Sequence, residues 1–360
     1  MDRPRLLAFY LPQFHPIPEN DAWWGKGFTE WTNAAKAKPL FPGHYQPHLP
    51  ADLGFYDLRV PETREAQAAL ARDYGITGFC YYHYWFGGQQ LLNRPFDEVL
   101  ASGQPDFPFC LCWANESWTG VWHGAPRRML IEQTYPGEAD HEQHFKALLP
   151  AFTDPRYIKV EGKPLFSIYK PDDLPNSRQV IAQWQAMAVA AGLPGLYFVG
   201  VTWDFDWDPA AHGFDAAVLQ RLAPSWPWHS AKGIKKLVSH SIARLLRWPS
   251  IYSYAEVANH LLPENLTARN RFPCVVPNWD NTPRSGSRGL VLKGSTPALF
   301  RHHFQQALAL TRHVPAEHRF IFIKSWNEWA EGNHIEPDLK YGKAYLDVIR
   351  SELENTRNDE

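Results

Sequence analysis

Short apolar runs alternate with longer segments of helical character along the whole chain. The runs lie at residues 6–11, 76–82, 107–113, 164–169, 196–201, 216–219, 274–276 and 320–325. One intervening segment begins at Pro61, repeats apolar residues at helical spacing and stops at Gly75. Further helices are predicted near 95–101, 138–149, 177–191, 296–311 and 343–353.

Alternation of this kind is typical of parallel strands joined by crossover helices. Eight such units predict an α/β fold, a (β/α)8 TIM barrel that forms a single domain over residues 1–360. A doubly wound open sheet is the alternative, but no glycine-rich phosphate loop follows the first run.

The least regular stretch, about 221–271, is predicted to be a long insertion between strands six and seven. We expect it to lie over the active-site face as a lid or subsite wall. Its Trp226, Trp228 and Trp248 are suited to stacking on sugars, although a dimer contact or simple packing explains them equally well.

Polar, titratable or aromatic residues follow nearly every predicted strand. Because the carboxyl ends of the strands form the active face of such a barrel, we expect them to face one site. Taken singly, His83 is equally a packed core histidine, Glu116 a helix-capping carboxylate and Asp280 an Asx turn. The evidence for a site is that such residues recur after most of the predicted strands. These strand-end residues are Tyr10, His83, Asn115, Glu116, Trp203, Asp204, Asn278, Trp279, Asp280, Asn327 and Glu328.

Aromatic residues make up 14% of the chain, which has 16 tryptophans. Tryptophan packs cores, joins interfaces and stacks on the flat apolar faces of ligands. Beside Asp, Glu, Asn and His, this content favours a carbohydrate site, although core packing must explain part of it. The formal net charge of −2 shows no basic excess, so we expect neither nucleic acid nor an anionic membrane as a partner.

The four cysteines, Cys80, Cys110, Cys112 and Cys274, lie in apolar runs and lack the spacing of a zinc site. They are predicted to be buried free thiols, which suits a reducing compartment. The first apolar stretch is too short for a signal peptide, and no run of about 18 apolar residues occurs. We therefore expect a cytoplasmic protein with no membrane span.

Glu328 and Glu331 form the densest carboxylate pair of the predicted active face. Cleavage of a glycosidic bond commonly uses one carboxyl group to protonate the departing oxygen and another to support the positive sugar carbon. Burial beside tryptophan would raise the pKa of one carboxyl group and keep it protonated near neutral pH. The alternative is that either glutamate forms a structural ion pair with Lys324 or Arg284.

Neither a metal nor a cofactor is predicted. The chain has 16 histidines but no His-Glu-x-x-His motif, no calcium-loop spacing and no Gly-x-Ser-x-Gly elbow. Asp204, Asp206 and Asp208 do have the Asp-x-Asp spacing of some nucleotide-sugar sites, and a solvated loop is the plainer alternative.

Six motifs, in order along nearly the whole chain, resemble the WbsX-like family. They are Tyr10-Leu-Pro-Gln-Phe-His15, Trp24-Gly-x-Gly-Phe-Thr-Glu-Trp31, Tyr82-His-Tyr-Trp85, Trp113-Ala-Asn-Glu-x-Trp118, Asn278-Trp-Asp-Asn-x-Pro-Arg284 and Trp326-Asn-Glu-Trp-x-Glu-Gly332. Members are bacterial proteins found with polysaccharide and O-antigen biosynthesis and named as glycosyltransferases. The family is in turn similar to glycoside hydrolase family 99, endo-α-mannosidases whose fold is a (β/α)8 barrel. Their Glu-Trp-x-Glu-Gly signature and following Ile-Glu-Pro step match Glu328-Trp-Ala-Glu-Gly332 and Ile335-Glu-Pro337.

This resemblance implies a retaining mechanism through a 1,2-anhydro sugar, with the sugar's own 2-hydroxyl as nucleophile. Glu328 would be the base that takes the 2-hydroxyl proton, and Glu331 the acid for the leaving oxygen and then the base for water. The axial 2-hydroxyl of a manno-configured sugar suits this chemistry. Ala330 departs from the mannosidases, which tend to have a larger residue there, so the substrate stays open.

Strand-end positions and family motifs together define a predicted sugar-binding set. Its members are Tyr10, Gln13, His15, Trp24, Glu30, Trp31, His83, Tyr84, Trp85, Asn115, Glu116, Trp118, Trp203, Asn278, Trp279, Asp280, Trp326 and Asn327.

Three functions compete, all with a poly- or oligosaccharide as partner. The first is an endo-acting glycoside hydrolase for α-linked manno- or rhamno-configured bacterial polysaccharide. The second is a glycosyltransferase of O-antigen or capsule biosynthesis, which needs a donor site that the first strand does not offer. The third is a glycan-binding barrel without activity, and the complete glutamate pair argues against it.

Overall fold

The computed structural model describes residues 3–120, 129–222, 248–266 and 269–358. Eight parallel strands form a closed barrel in which β1 pairs with β8 on one side and with β2 on the other. The strands are β1 (Arg5–Tyr10), β2 (Gly78–Phe86), β3 (Phe109–Trp113), β4 (Lys163–Ile168), β5 (Tyr197–Thr202), β6 (Ala216–Leu219), β7 (Arg271–Val275) and β8 (Phe320–Ile323). The (β/α)8 barrel expected from the sequence is confirmed.

Helices cover the outside of the barrel and lie in its loops. They are α1 (Pro18–Trp24), α2 (Glu30–Lys36), α3 (Pro61–Asp73), α4 (Arg94–Ser102), α5 (Glu138–Thr153), α6 (Ser177–Ala190), α7 (Tyr254–Val257), α8 (Thr282–Ser285), α9 (Pro297–Thr311) and α10 (Ala344–Asn358). The link from β5 to β6 has only a 3-10 turn, Ala210–His212. The long helices could be located from the periodic spacing of their apolar residues, but α1 and α2 are too short to show this spacing. Their starts are marked instead by single residues, Pro18 in the first turn of α1 and the capping box of Thr29 before α2.

Strand β2 runs further than the apolar run that predicted it. It continues to Phe86 because the following turn returns the chain as Gln89–Leu91, which pairs antiparallel with residues 84–86. Tyr84 and Trp85 therefore lie on an extended strand rather than in a loop. Side chains along this strand alternate between its two faces, which decides where each one lies.

The apolar strand residues form one continuous core around and inside the barrel. All four cysteines are buried in this region and free, as predicted. In the described ranges, no helix combines the length and hydropathy that crossing a bilayer requires.

The stretch predicted as an insertion is described only in part. Residues 250–253 pair in parallel with 290–293, and α7 follows directly. Tyr254 and Val257 of α7 pack against Val276 and Trp279, just beyond β7. Trp248 packs on Phe41 at a ring distance of 6.1 Å. Trp226 and Trp228 lie outside the described residues.

Candidate active site

A cavity of about 500 Å³ opens at the carboxyl ends of the barrel strands. Residues that follow β1, β3, β4 and β8 line it, together with side chains of α1, α2 and α8. Its walls combine carboxylates, cations and aromatic rings, which is the composition of a sugar site. The residues facing it include Gln13, Trp24, Glu30, Tyr82, Tyr84, Glu116, Trp118, Tyr169, Lys170, Trp279, Arg284, Glu328 and Glu331.

The two candidate catalytic glutamates lie on one tight hairpin after β8, which we call the carboxylate hairpin (residues 327–334). Asn327 and Glu328 pair antiparallel with His334 and Asn333. A 3-10 turn, Trp329–Glu331, joins the two sides. This turn places both carboxyl groups on the cavity side of the hairpin.

Glu328 is held by a buried cation at the end of β8. Lys324 Nζ lies 3.3 Å from Glu328 Oε2, and the Glu328 backbone N–H donates to Ser325 Oγ at 2.9 Å. The lysine is almost fully buried, yet the negative charge of Glu328 raises its pKa above the ordinary value against the desolvation that lowers it. Lys324 therefore stays charged and places a positive charge beside the Glu328 carboxyl group.

Glu331 lies in a second network centred on Arg284. The guanidinium donates to Glu331 Oε1 at 2.6 Å and to Glu30 Oε1 at 2.7 Å. Burial, and secondly the charge of Glu328, raise the pKa of Glu331 to about 8, against the opposing effect of Arg284. Burial also raises the pKa of Glu30. At neutral pH the arrangement therefore favours a protonated Glu331.

Sequence analysis offered an ion pair with Lys324 or Arg284 as the structural alternative to catalysis. Both ion pairs are present, and both glutamates also face the cavity. The pairing is therefore compatible with chemistry, because each cation fixes the position of one carboxyl group while that group still faces the cavity.

Aromatic rings form the walls around these carboxyl groups. Tyr84 meets Trp118 edge to face at 5.0 Å, and Lys324 Nζ lies 5.5 Å from the ring centre of Trp279. Further out, Lys170 Nζ lies 3.4 Å from a Glu116 oxygen and 4.4 Å over the ring of Trp203. Trp203 is 65% exposed and lies outside the cavity lining.

Several predicted sugar-binding residues lie beneath the cavity and hold its loops. Asn327 accepts the Leu11 N–H at 2.7 Å and donates to the Leu11 carbonyl, which joins the carboxylate hairpin to the end of β1. Trp31 Nε1 donates to the Tyr56 carbonyl at 2.8 Å. Tyr10 and Trp326 are buried as well, with the Tyr10 hydroxyl donating to Gln67 at 2.7 Å.

Strand alternation explains why His83 and Trp85 lie away from the cavity. Tyr82 and Tyr84 face it, so their neighbours on β2 point to the opposite side. His83 Nε2 is 2.8 Å from His144 Nε2, and Trp85 Nε1 donates to Asp140 at 3.1 Å. His83 is thus the packed, hydrogen-bonded histidine that sequence analysis offered as an alternative.

The remaining predicted residues are also structural neighbours of the cavity rather than part of its lining. Asn115 bonds the backbone of Lys170 in both directions at 2.8 Å. Asp280 accepts from Gln46 and lies 2.6 Å from His44 Nε2. His15 bonds the Pro12 carbonyl. Asn278 faces a different cavity.

The sequence analysis missed several cavity residues. Asn20 and Asn33 lie on α1 and α2, which are absent from the helices predicted from the sequence. Tyr169 and Lys170 directly follow β4, a strand end to which no site residue was assigned. Tyr82 could have been predicted, because side chains two positions apart on a strand face the same side and Tyr84 was already assigned to the site.

Glu336 of the Ile-Glu-Pro step lies outside the cavity and supports the hairpin. It accepts from Trp329 Nε1 at 2.7 Å, from Tyr56 at 2.8 Å and from Gln67 at 2.6 Å. Burial raises its pKa to about 7. This step of the family signature therefore orients the indole next to Glu328.

Solved structures with similar folds include a glycoside hydrolase-like protein and a family 99 endo-α-mannosidase. A protein described as a glycoside hydrolase-like protein superposes with a TM-score of 0.60 at 16% identity, over 98% of this chain and 94% of its own. The family 99 endo-α-mannosidase of Bacteroides thetaiotaomicron, in complex with bis-tris propane, gives a TM-score of 0.60 at 15% identity, over 98% of each chain. At this identity the likeness establishes the shared barrel.

Sequence relatives give the family. A protein described as uncharacterized protein WxcX, from Xanthomonas campestris pv. campestris, is 41% identical over 350 residues, which is 97% of this chain and 49% of that protein. The chain thus spans about half the length of the curated relatives it matches. The profile of the family described as glycosyltransferase WbsX matches residues 6–349. The chain therefore belongs to the WbsX glycosyltransferase family, and the resemblance seen in its motifs is confirmed.

Proposed function

We propose that this protein is a carbohydrate-active enzyme that cleaves α-linked glycosidic bonds in a manno- or rhamno-configured bacterial polysaccharide. One observation carries the proposal: the carboxylate hairpin presents a lysine-paired Glu328 and a Glu331 of raised pKa to the same aromatic-walled cavity. One ionised and one protonated carboxyl group are the two that glycoside hydrolysis requires.

The first half of the reaction uses both glutamates at once. Glu328 takes the proton of the substrate 2-hydroxyl, and the resulting oxygen attacks the anomeric carbon from behind. Glu331 gives its proton to the departing glycosidic oxygen as that bond breaks. The products are a 1,2-anhydro sugar and a free hydroxyl on the leaving chain.

The second half reverses the proton transfers. Glu331, now ionised, takes a proton from water as the water oxygen attacks the anomeric carbon. The bond from that carbon to the 2-oxygen breaks, and Glu328 returns its proton to the 2-oxygen. Two inversions at one carbon retain the anomeric configuration, as in other retaining enzymes.

The cations on either side have separate tasks in this scheme. Lys324 holds the Glu328 carboxyl group in place beside the substrate 2-hydroxyl. Arg284, anchored by Glu30, fixes one oxygen of Glu331, so that its other oxygen addresses the leaving group. Endo-action rests on the resemblance to the mannosidases and is part of the proposal.

The family description, glycosyltransferase WbsX, favours glycosyl transfer as a second function, and we propose a growing O-antigen or capsular polysaccharide as the acceptor in that case. The same anhydro sugar opened by a sugar hydroxyl instead of water gives transfer without any change of residues. The aspartates proposed for a nucleotide sugar do not strengthen this alternative, because Asp204 Oδ1 accepts the Asp206 N–H at 3.0 Å, as in an Asx turn.

The test is a screen of purified bacterial polysaccharides in ¹⁸O-labelled water, with products read by mass spectrometry. Hydrolysis places one heavy oxygen on each new reducing end, whereas transfer yields lengthened chains without label. Glu328→Gln and Glu331→Gln should both lose the activity, while Glu142→Gln, on the exposed face of α5, keeps it. Wild-type cleavage by both site variants would remove the proposal.

A further inference from the structure

A second cavity, of about 140 Å³, is lined by His334 of the carboxylate hairpin and by neither glutamate. His48, His334 and Asp338 are buried along its wall and each offers one ligand atom, with all three atoms within 4.8 Å of one another. His48 Nδ1 lies 3.1 Å from His334 Nε2, which lies 4.0 Å from Asp338 Oδ2. In the described part of the chain, this is the one such group of three.

These separations fit a tetrahedral metal centre. Zinc takes imidazole nitrogens at about 2.0–2.1 Å, which places neighbouring ligand atoms roughly 3.3 Å apart. The two measured separations lie on either side of that value. Side-chain rotations that bring the Asp338 oxygen, now 4.0 Å from His334 Nε2, closer to the two imidazoles would complete the geometry.

The atoms behind the ligands are arranged as they are around bound metals. His334 Nδ1 lies 3.1 Å from the Glu336 carbonyl, so this nitrogen is the donor and Nε2 presents its lone pair to the cluster. Asp338 Oδ1 accepts the Lys340 and Tyr341 N–H groups at 2.9 and 2.6 Å. Its other oxygen, Oδ2, is the one turned towards His334.

We propose that His48, His334 and Asp338 bind one divalent transition-metal ion, with Zn²⁺ the best match. Two imidazoles and one carboxylate are a common zinc donor set when water supplies a fourth ligand, and the adjoining cavity has room for that water. Sequence spacing does not show the site, because His48 and His334 are 286 residues apart.

Such a metal would clamp the carboxylate hairpin. The His334 ring stacks on Trp329 at 3.8 Å, and Trp329 begins the turn that carries Glu331. The ion would join this turn to the distant segment around His48. This inference stands independently of the reaction proposed above, because its test measures metal and not sugar.

The closest competing explanation is a plain hydrogen bond between the two imidazoles, which also accounts for 3.1 Å. Lys340 separates the two explanations. Its ammonium lies over the rings of Tyr45 and Tyr341 and lines the same cavity, where its charge opposes a dication. Lys340→Met should therefore tighten metal binding if the site exists.

The experiment strips the full chain with a chelator, adds Zn²⁺ alone, removes the excess and counts metal by mass spectrometry. We expect one Zn²⁺ per chain, a raised melting temperature, and visible d–d absorption bands after loading with Co²⁺. His48→Gln and Asp338→Asn should weaken binding by at least about 100-fold, whereas His313→Gln, an exposed histidine, should not.

Two results would overturn the inference. One is wild-type protein that retains no more Zn²⁺ than His48→Gln. The other is a metal affinity that does not differ from that of the wild type in His48→Gln, in Asp338→Asn or in Lys340→Met. Circular dichroism of each variant separates loss of ligand from loss of fold, and the Co²⁺ spectrum reports coordination in any variant that folds.

Discussion

The backbone N–H of Asp280 donates a 2.6 Å hydrogen bond to the carbonyl oxygen of Glu331. This bond joins the loop after β7 directly to the turn of the carboxylate hairpin. The approach is close because the next residue is Gly332, where a Cβ would lie 3.0 Å from Asp280 Cβ and 3.2 Å from its nitrogen. Gly332 also has φ of +54°, in the left-handed region.

Replacing Gly332 with alanine should therefore move Glu331. We expect a loss of about 1–3 kcal/mol in the free energy of unfolding, together with a lower kcat. Gly342→Ala is the matched control, because φ there is +53° with no heavy atom within 4 Å of the new Cβ. Both variants place alanine at a positive φ and so lose a similar conformational free energy. Equal kcat values in the two variants would therefore show that the close contact with Asp280 does not position Glu331.

Removing Glu331, the proposed acid, should be tolerated only when the leaving group needs no proton. Glu331→Gln is expected to lower kcat on a natural glycan by about 10²–10⁴-fold, and much less on a glycosyl fluoride, whose leaving group departs unassisted. Glu328→Gln should impair both substrates equally, because the 2-hydroxyl still needs a base. Equal losses on both substrates in Glu331→Gln would contradict the division of roles.

The pH dependence follows from the pKa of Glu331, which burial and Glu328 raise to about 8. Activity should fall as pH rises through about 8, since the proton needed by the leaving group is then lost. The folded chain binds this proton more tightly than the unfolded chain, so the free energy of unfolding also decreases between the ordinary value of 4.5 and about 8. Denaturant titrations across that range should show the decrease in wild type and a smaller one in Glu331→Gln.

Lys324 and Glu328 form a buried pair, so each should be costly to remove alone. Lys324→Met leaves the carboxylate without its cation and should cost about 3–5 kcal/mol of stability and most of the activity. Lys324→Met combined with Glu328→Gln leaves no unpaired charge and should be more stable than Lys324→Met. Additive losses in urea unfolding would indicate that the two groups do not interact.

His83 and Tyr84 are neighbours on β2 with opposite surroundings. Tyr84→Phe should raise KM for a glycan, because Tyr84 lines the cavity and the substitution removes a hydroxyl group that can hydrogen-bond to the sugar. His83→Gln should lower the melting temperature through its contact with His144 and leave KM unchanged. A raised KM in His83→Gln would restore His83 to the sugar-binding set.

Much of the fold could be predicted because strand and helix periods are local properties. Residues 216–219 form a strand with the bounds that the apolar run predicts. The glutamate pair could be predicted for a similar reason, since a short hairpin holds both residues. The motif residues Trp31 and Asn327 are different, because a family motif marks a requirement without saying whether sugar contact or loop support imposes it. Arg284 appeared only as an alternative partner, because nothing in the sequence shows that one guanidinium spans Glu30 and Glu331.

The Arg284 bridge connects the segment that follows the first barrel strand to the hairpin that follows the last. Glu30 lies between the first and second strands and accepts the backbone N–H of Ala330, 300 positions further along the chain. Arg284 joins the same carboxylate to Glu331. Burial, which raises the pKa of Glu331, is complete only when these contacts between the loops after β1 and β8 have formed. A chain that has not yet closed its barrel therefore lacks the buried Glu331, and the proposed acid would be completed only by the last step of folding.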